Sequence, residues 1–231
     1  GGVIMLKLKN RLIIGITLLG LFVLTLTAGA FAASPIILDG QFDDWEGQAY
    51  MSDPAEDAQK GDILNFYWAT NDNDSNLYFM VERRVGEKES DAGQPVNYYL
   101  YFDINDNGKY EEKSDCYLSI KYHPRQNGQV ELALFRQKGG KITDYNGYWG
   151  ESEQEGGSRC EFKVNMDDLG MYPGQPMRMY VVSDYGHGDR CPDSGDIQWS
   201  PIPIMPLWAL ITIFVVALLT GTYFIRKRMM A

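Results

Sequence analysis

Apolar residues in the middle of this chain recur at every second position. "NLYFMVER" (76–83) sets Leu77, Phe79 and Val81 on one face, and "NYYLYFD" (97–103) sets Tyr98, Leu100 and Phe102 on one face. "CYLSIKY" (116–122) aligns Cys116, Leu118, Ile120 and Tyr122, and "VELALF" (130–135) aligns Val130, Leu132 and Leu134. "ILNFYWAT" (63–70) puts Leu64, Phe66 and Trp68 together, and "CEFKV" (160–164) and "MRMYVVS" (177–183) keep the alternation. Side chains of a strand point alternately to opposite faces, so a period of two marks half-buried strands. Polar clusters such as "NDNDSN", "RQNGQ" and "KGGK" separate the runs and read as turns. "PIIL" and "IQWSPI" read as short edge strands, and "NMDDLGMYPG" as one helical turn. The pattern predicts an all-β domain over residues 34–200, an antiparallel β-sandwich of about nine strands.

Two apolar segments flank that domain. Met5 is followed by Lys7, Lys9 and Arg11, then by an apolar run to Thr27 and the small residues of "AGAFAAS". This order reads as a signal peptide over residues 1–33. Residues 207–225 carry no charge. As a helix they cover roughly 28 Å at about 1.5 Å per residue, enough for one transmembrane helix. Trp208 and Tyr223 sit near its ends, and Arg226, Lys227 and Arg228 follow it. Positive residues stay on the cytoplasmic side. The expectation is a single-pass cell-membrane protein with an extracellular domain, a Pro-rich tether at 201–206 and a basic cytoplasmic tail at 226–231.

All 31 acidic residues fall between the two apolar segments, so the domain is more acidic than the chain's net charge of −10. Such a surface repels nucleic acid and anionic headgroups and tolerates cations. Three cysteines, Cys116, Cys160 and Cys191, fit no zinc spacing. An oxidising exterior permits a Cys160–Cys191 bridge, and three unpaired thiols is the alternative.

One turn carries readable chemistry. From Asp103 the chain runs D-I-N-D-N-G-K-Y-E-E-K-S-D. Oxygen side chains fall at alternate positions, Asp103, Asn105 and Asn107, and Gly108 follows where a tight bend needs freedom from Cβ strain. The Lys109 carbonyl comes next. This is the first half of a D-x-[DN]-x-[DN]-G calcium loop. Its second half departs from that pattern, with Ser114 in place of a bidentate Glu, so Asp115 or Glu112 would close the shell. The other reading is an Asx-rich turn with no metal. Extracellular calcium fills sites with dissociation constants of roughly 10⁻⁴–10⁻³ M, which makes calcium the expected ion. Asp57 and Asp62, and Asp189, Asp193 and Asp196, carry a similar ambiguity between turn capping and a second metal site.

"ILDGQFDDWEG" (37–47) resembles the opening of family 9 carbohydrate-binding modules and their DOMON-like relatives. "GDILNFYWATNDNDSNLYFMVER" resembles their following hairpin, "YYLYFDINDNG…SDCYLSI" the next, and "CEFKVNMDDLG" a late strand ending in a Leu-Gly turn. The resemblance implies a sandwich with structural calcium and aromatic rings that clasp a saccharide. DOMON relatives can bind haem, but His123 and His187 show no ligating pattern.

Aromatic rings hold sugars through the C–H face of a pyranose, while amides and carboxylates take its hydroxyls. The candidates are Tyr148 and Trp149 in "DYNGYWGE" and Tyr185 in "SDYGHGDR", read as loops at sheet ends. Tyr67, Tyr99, Tyr101 and Tyr117 lie opposite the core positions and are expected on outer sheet faces. Trp45 and Trp68 are expected in the core. No G-x-S-x-G, H-E-x-x-H or P-loop motif occurs. The expected function is non-catalytic recognition of a carbohydrate or cell-wall glycan. The alternative is a structural domain whose partner is another envelope protein.

Overall fold

The alternating runs become strands. The computed structural model describes residues 34–55, 61–72, 74–86, 92–184 and 188–201, with Val215 and Ala217. The chain divides into 1–34 and 35–231, and every strand belongs to the second unit. The expected signal peptide lies outside the described residues, as does the expected span apart from Val215 and Ala217. No helix among the described residues is long and apolar enough to cross a membrane.

Eleven strands lie among the described residues, in two antiparallel sheets. The smaller sheet has the order β1-β2-β3-β8, from Ala49–Ser52, Ile63–Thr70, Asn76–Arg83 and Arg159–Asn165. The larger runs β10-β9-β4-β5-β6-β7, with β11 also on β9. Its members are β4 (Val96–Asp103), β5 (Cys116–His123), β6 (Gln129–Arg136), β7 (Lys141–Trp149), β9 (Met177–Ser183), β10 (Arg190–Cys191) and β11 (Ile197–Trp199). The expected helical turn is α1 (Met166–Leu169), where Asn165 accepts from the Asp167 amide at 2.8 Å and Gly170 closes the turn at φ +75°.

One core joins the inner faces of both sheets, and every inward residue expected on β3, β4, β5 and β6 is in it, together with Cys160, Phe162 and Val164 of β8 and Met177, Met179 and Val181 of β9. Phe79 sits at its centre, with Phe66, Phe102, Phe162 and Trp199 at ring distances of 5.8–6.2 Å. Burying one such side chain contributes roughly 1.5–3 kcal/mol. On β2 a register shift between Ile63 and Asn65 turns Ile63 into the core in place of Leu64. Such a bulge adds one residue and flips the alternation beside it.

A second, smaller cluster lies on the outer face of the four-stranded sheet. Ile36, Phe42 and Trp45 cover Ala69, Tyr78 and Met80, so β3 is buried on both faces. "PIIL" is therefore a covering segment, not the expected edge strand. Trp45 is buried as expected, and Trp68 packs against the core partly exposed. The new edge strands are β1, β7 and β10, which short or interrupted alternation had concealed.

The three thiols are free and buried, which corrects the Cys160–Cys191 pairing. Cys191 lies 3.8 Å from the Met51 carbonyl on β1. Met51, Phe66, Val81 and Cys160 are successive partners across the sheet. Three strand spacings, about 14 Å, separate the two ends of that row. A disulfide needs Cα atoms within about 7 Å.

Candidate functional site

The outer face of the seven-stranded sheet carries a row of rings. Phe135, Tyr117, Tyr101 and Tyr180 are direct partners across β6, β5, β4 and β9. Phe135 and Tyr117 stack at 5.0 Å and 9°, and Tyr101 and Tyr180 at 4.8 Å and 16°. Tyr101 and Tyr117 are 6.0 Å apart at 31°. Tyr99 extends the row beside Tyr117, at 6.4 Å. At the β9 end the Arg190 guanidinium lies 4.2 Å over Tyr180, and Tyr110 meets Tyr180 edge-on at 4.7 Å. The row arises because Tyr101 and Tyr117 alternate with core residues, while in-register pairing brings them side by side. It spans roughly 15 Å over four strands. All four rings are half-buried. Burial first, then Tyr99 and Tyr117, hold the Tyr101 phenol above the ordinary tyrosine range, so its hydroxyl stays protonated.

The loop after β4 closes on its own donors. Asp103 ends β4 and Asp115 precedes β5, and both are wholly buried. Asp103 accepts from the amides of Asn107 at 3.3 Å and Gly108 at 2.7 Å. Asp115 accepts from the Glu112 amide at 2.7 Å and the Ser114 hydroxyl at 3.2 Å. Asn105 and Asn107 both donate to Glu112 Oε2, at 2.8 and 2.9 Å, and these bonds hold its carboxyl below the usual range. The Lys109 amide donates to Asn107 Oδ1 at 2.9 Å. Asp106 turns away to Arg178 and Gln198, and among the described residues it is one of two non-glycine residues with positive φ, at 55°. The donor set is all oxygen and two of its carboxylates are buried, which suits calcium.

A second acidic group forms where β1 and β10 meet. Asp53, Asp189 and Asp193 bring oxygens within 4.8 Å of one another. Among the described residues this trio, not the 103–115 loop, is the group of three carboxylates at ligating separation. Asp189 also binds chain: its carboxylate accepts from the Ile63 amide at 2.5 Å and the Arg190 amide at 2.7 Å. Asp189 and Asp193 stand out in the sequence. Asp53 does not, since only the fold brings it near them.

The aromatic trio read from the sequence does not assemble into one described site. Tyr148 and Trp149 belong to strand β7, not to a loop. Being neighbours on a strand they face opposite ways. Tyr148 is buried in the core, whereas Trp149 is 40% exposed near the Asp39–Gly40 turn. Tyr185 lies outside the described residues.

The fold and this face define an all-β, sandwich-like domain with an aromatic outer surface. No family model matches the chain, and no curated protein or solved structure matches it.

Proposed function

We propose that this chain is a non-catalytic binding module that recognises a carbohydrate or cell-wall glycan along the Phe135–Tyr117–Tyr101–Tyr180 row. The observation that carries the reading is the in-register alignment of those four rings, two stacked pairs joined by a tilted Tyr101–Tyr117 contact. Stacked in this way, the rings offer a ribbed strip of aromatic edges against which the C–H groups of successive sugars can pack. The fringe of phenol hydroxyls supplies donors to sugar oxygens. The acidic surface disfavours anionic chains, which leaves neutral or amino-substituted glycans. The likeness to family 9 carbohydrate-binding modules agrees with this reading, and so does a surface-displayed domain held by the apolar segment at 207–225. Calcium, at Asp103, Asn105, Asn107, the Lys109 carbonyl and Asp115 or at the Asp53 trio, would stiffen the sandwich without contacting the sugar.

The test is retention of the chain on immobilised polysaccharides. Tyr101→Leu should lower affinity about tenfold with little change in melting temperature, and Tyr101→Phe should keep most of it. Equal retention of native and Tyr101→Leu chains overturns the assignment to this face. Co-purification of envelope proteins without any glycan retention favours the protein-interaction reading.

A further inference from the structure

The four-stranded sheet carries a separate pocket on its outer face. Its volume is about 380 Å³, within the range of small-ligand sites. Two walls are aromatic. Tyr50 of β1 and Tyr67 of β2 are cross-strand partners whose rings stack at 5.2 Å and 24°. Trp45, from the covering segment, meets Tyr67 edge-on at 6.2 Å and 67°. Tyr50 is 56% exposed, so the open end of this wall faces solvent.

The charged lining is unbalanced. Among the described residues, Asp43, Glu46 and Glu82 line the pocket against one cation, Arg159. Arg159 is already committed. Its Nε and Nη2 donate to Glu151 Oε1 at 2.8 and 2.6 Å, and its guanidinium lies 4.6 Å over Phe42. Glu82 is held by Asn65, which donates to Oε2 at 2.7 Å. That bond fixes the carboxylate without neutralising it. The Tyr67 phenol reports the same field. Burial raises its pKa most, Glu82 and Tyr50 raise it further, and Arg159 only partly opposes them.

We propose that this pocket binds an organic ammonium cation, with the Tyr50–Tyr67 pair and Trp45 as its aromatic wall and Glu82 as its counter-charge. Ring faces attract a cation through their quadrupole. Carboxylates at the rim add attraction that an uncharged ligand of the same shape lacks. An anion would meet three carboxylates, while the one lining cation named above, Arg159, is already engaged by Glu151. The proposal is independent of the tyrosine row, which lies on the other sheet.

The test titrates the full chain with choline and with its uncharged isostere 3,3-dimethylbutan-1-ol, read by calorimetry and tyrosine fluorescence. Choline should bind at millimolar concentration, and the isostere about tenfold more weakly. Glu82→Gln and Tyr50→Ala should each weaken choline at least about fivefold. Tyr50 is exposed, so Tyr50→Ala leaves the core intact and its melting temperature should stay native. Equal binding of the two probes overturns the proposal, because the pocket would then read shape and not charge. Absence of a choline signal at millimolar concentration overturns it too. Retention on polysaccharide reports the other sheet and should not change in Glu82→Gln.

Discussion

Trp45 donates its indole N–H to Glu161 Oε2 at 2.9 Å, across 116 residues of chain. The other oxygen of Glu161 accepts from the amides of Asp39 and Gly40, both at 2.8 Å. One wholly buried carboxylate on β8 therefore docks the whole covering segment onto the sheet. Gly40 takes φ +81° in the turn that aims both amides at it.

Removing that acceptor should be costly. Glu161→Leu strands one buried donor, the Trp45 indole, and two part-buried amides, and a buried donor costs about 1–3 kcal/mol when unpaired. We expect a loss of roughly 3 kcal/mol or more in urea unfolding. Trp45→Phe should cost less than Glu161→Leu, since it removes one donor and part of the ring. If Glu161→Leu unfolds at the native denaturant midpoint, the docking role fails.

The same carboxylate predicts a pH dependence. Burial, the largest cause, pushes Glu161 up from 4.5 to about 7, with Asp44 adding to it, while the Trp45, Gly40 and Asp39 bonds oppose. The folded state thus binds a proton that the unfolded chain has already released. Its contribution to stability is present in full below about pH 4.5 and fades as pH rises through about 7. Comparing native and Glu161→Gln chains across that window isolates it. Parallel stability curves would refute the assignment.

Two glycines at one corner should not tolerate a methyl group. At Gly128, φ is +73° and a Cβ would lie 2.0 Å from the Gly150 carbonyl oxygen. At Gly150 it would lie 2.5 Å from Tyr122 and 2.6 Å from the Arg159 carbonyl. These contacts bring the end of β7 against β8, where Gly150 bridges Cys160. Each Gly→Ala change should lower stability by about 3 kcal/mol or more, measured by chemical denaturation. Gly108→Ala is the control for positive φ alone, because no atom lies within 4 Å of its Cβ position.

The thiols should be inert in the folded protein. Burial pushes Cys116 up to about 11 and Cys160 and Cys191 up to about 12. Thiolate is the reactive form. Iodoacetamide at mildly alkaline pH should label none of the three until denaturant is added, and reductant should leave the melting temperature unchanged. Labelling of a folded chain would contradict this placement.

Calcium should raise the melting temperature and a chelator should lower it. A ligand at a hundredfold excess over its dissociation constant stabilises by about 2.7 kcal/mol. Two variants tell the sites apart. Loss of the calcium shift in Asp103→Asn assigns it to the turn after β4, and loss in Asp189→Asn assigns it to the trio with Asp53 and Asp193. Identical melts of the native chain with and without calcium would exclude both.

The inward faces of the long strands were legible because a pleat repeats every two residues regardless of context. Leu100, Phe102, Leu118 and Ile120 could be placed inside from spacing alone, and each is fully buried. The outward placement of Tyr99, Tyr101 and Tyr117 follows from the same alternation. Strand β7 was not legible, because "KITDYNGYW" breaks its alternation where the register with β6 shifts. Spacing alone therefore reads Tyr148 and Trp149 as loop residues.

Alternation along a strand is local physics, so the amino-acid order by itself determined the all-β class, the core residues and the acidic turn after β4. Which strands become neighbours is a matter of distant pairing, and no local pattern encodes it. Tertiary structure alone therefore aligned Phe135, Tyr117, Tyr101 and Tyr180 into one row. It also brought Asp53 to Asp189, and set Trp45 on a carboxylate far along the chain. Each of these joins residues whose separation in sequence carries no periodic signal, and only the closed sandwich makes them touch.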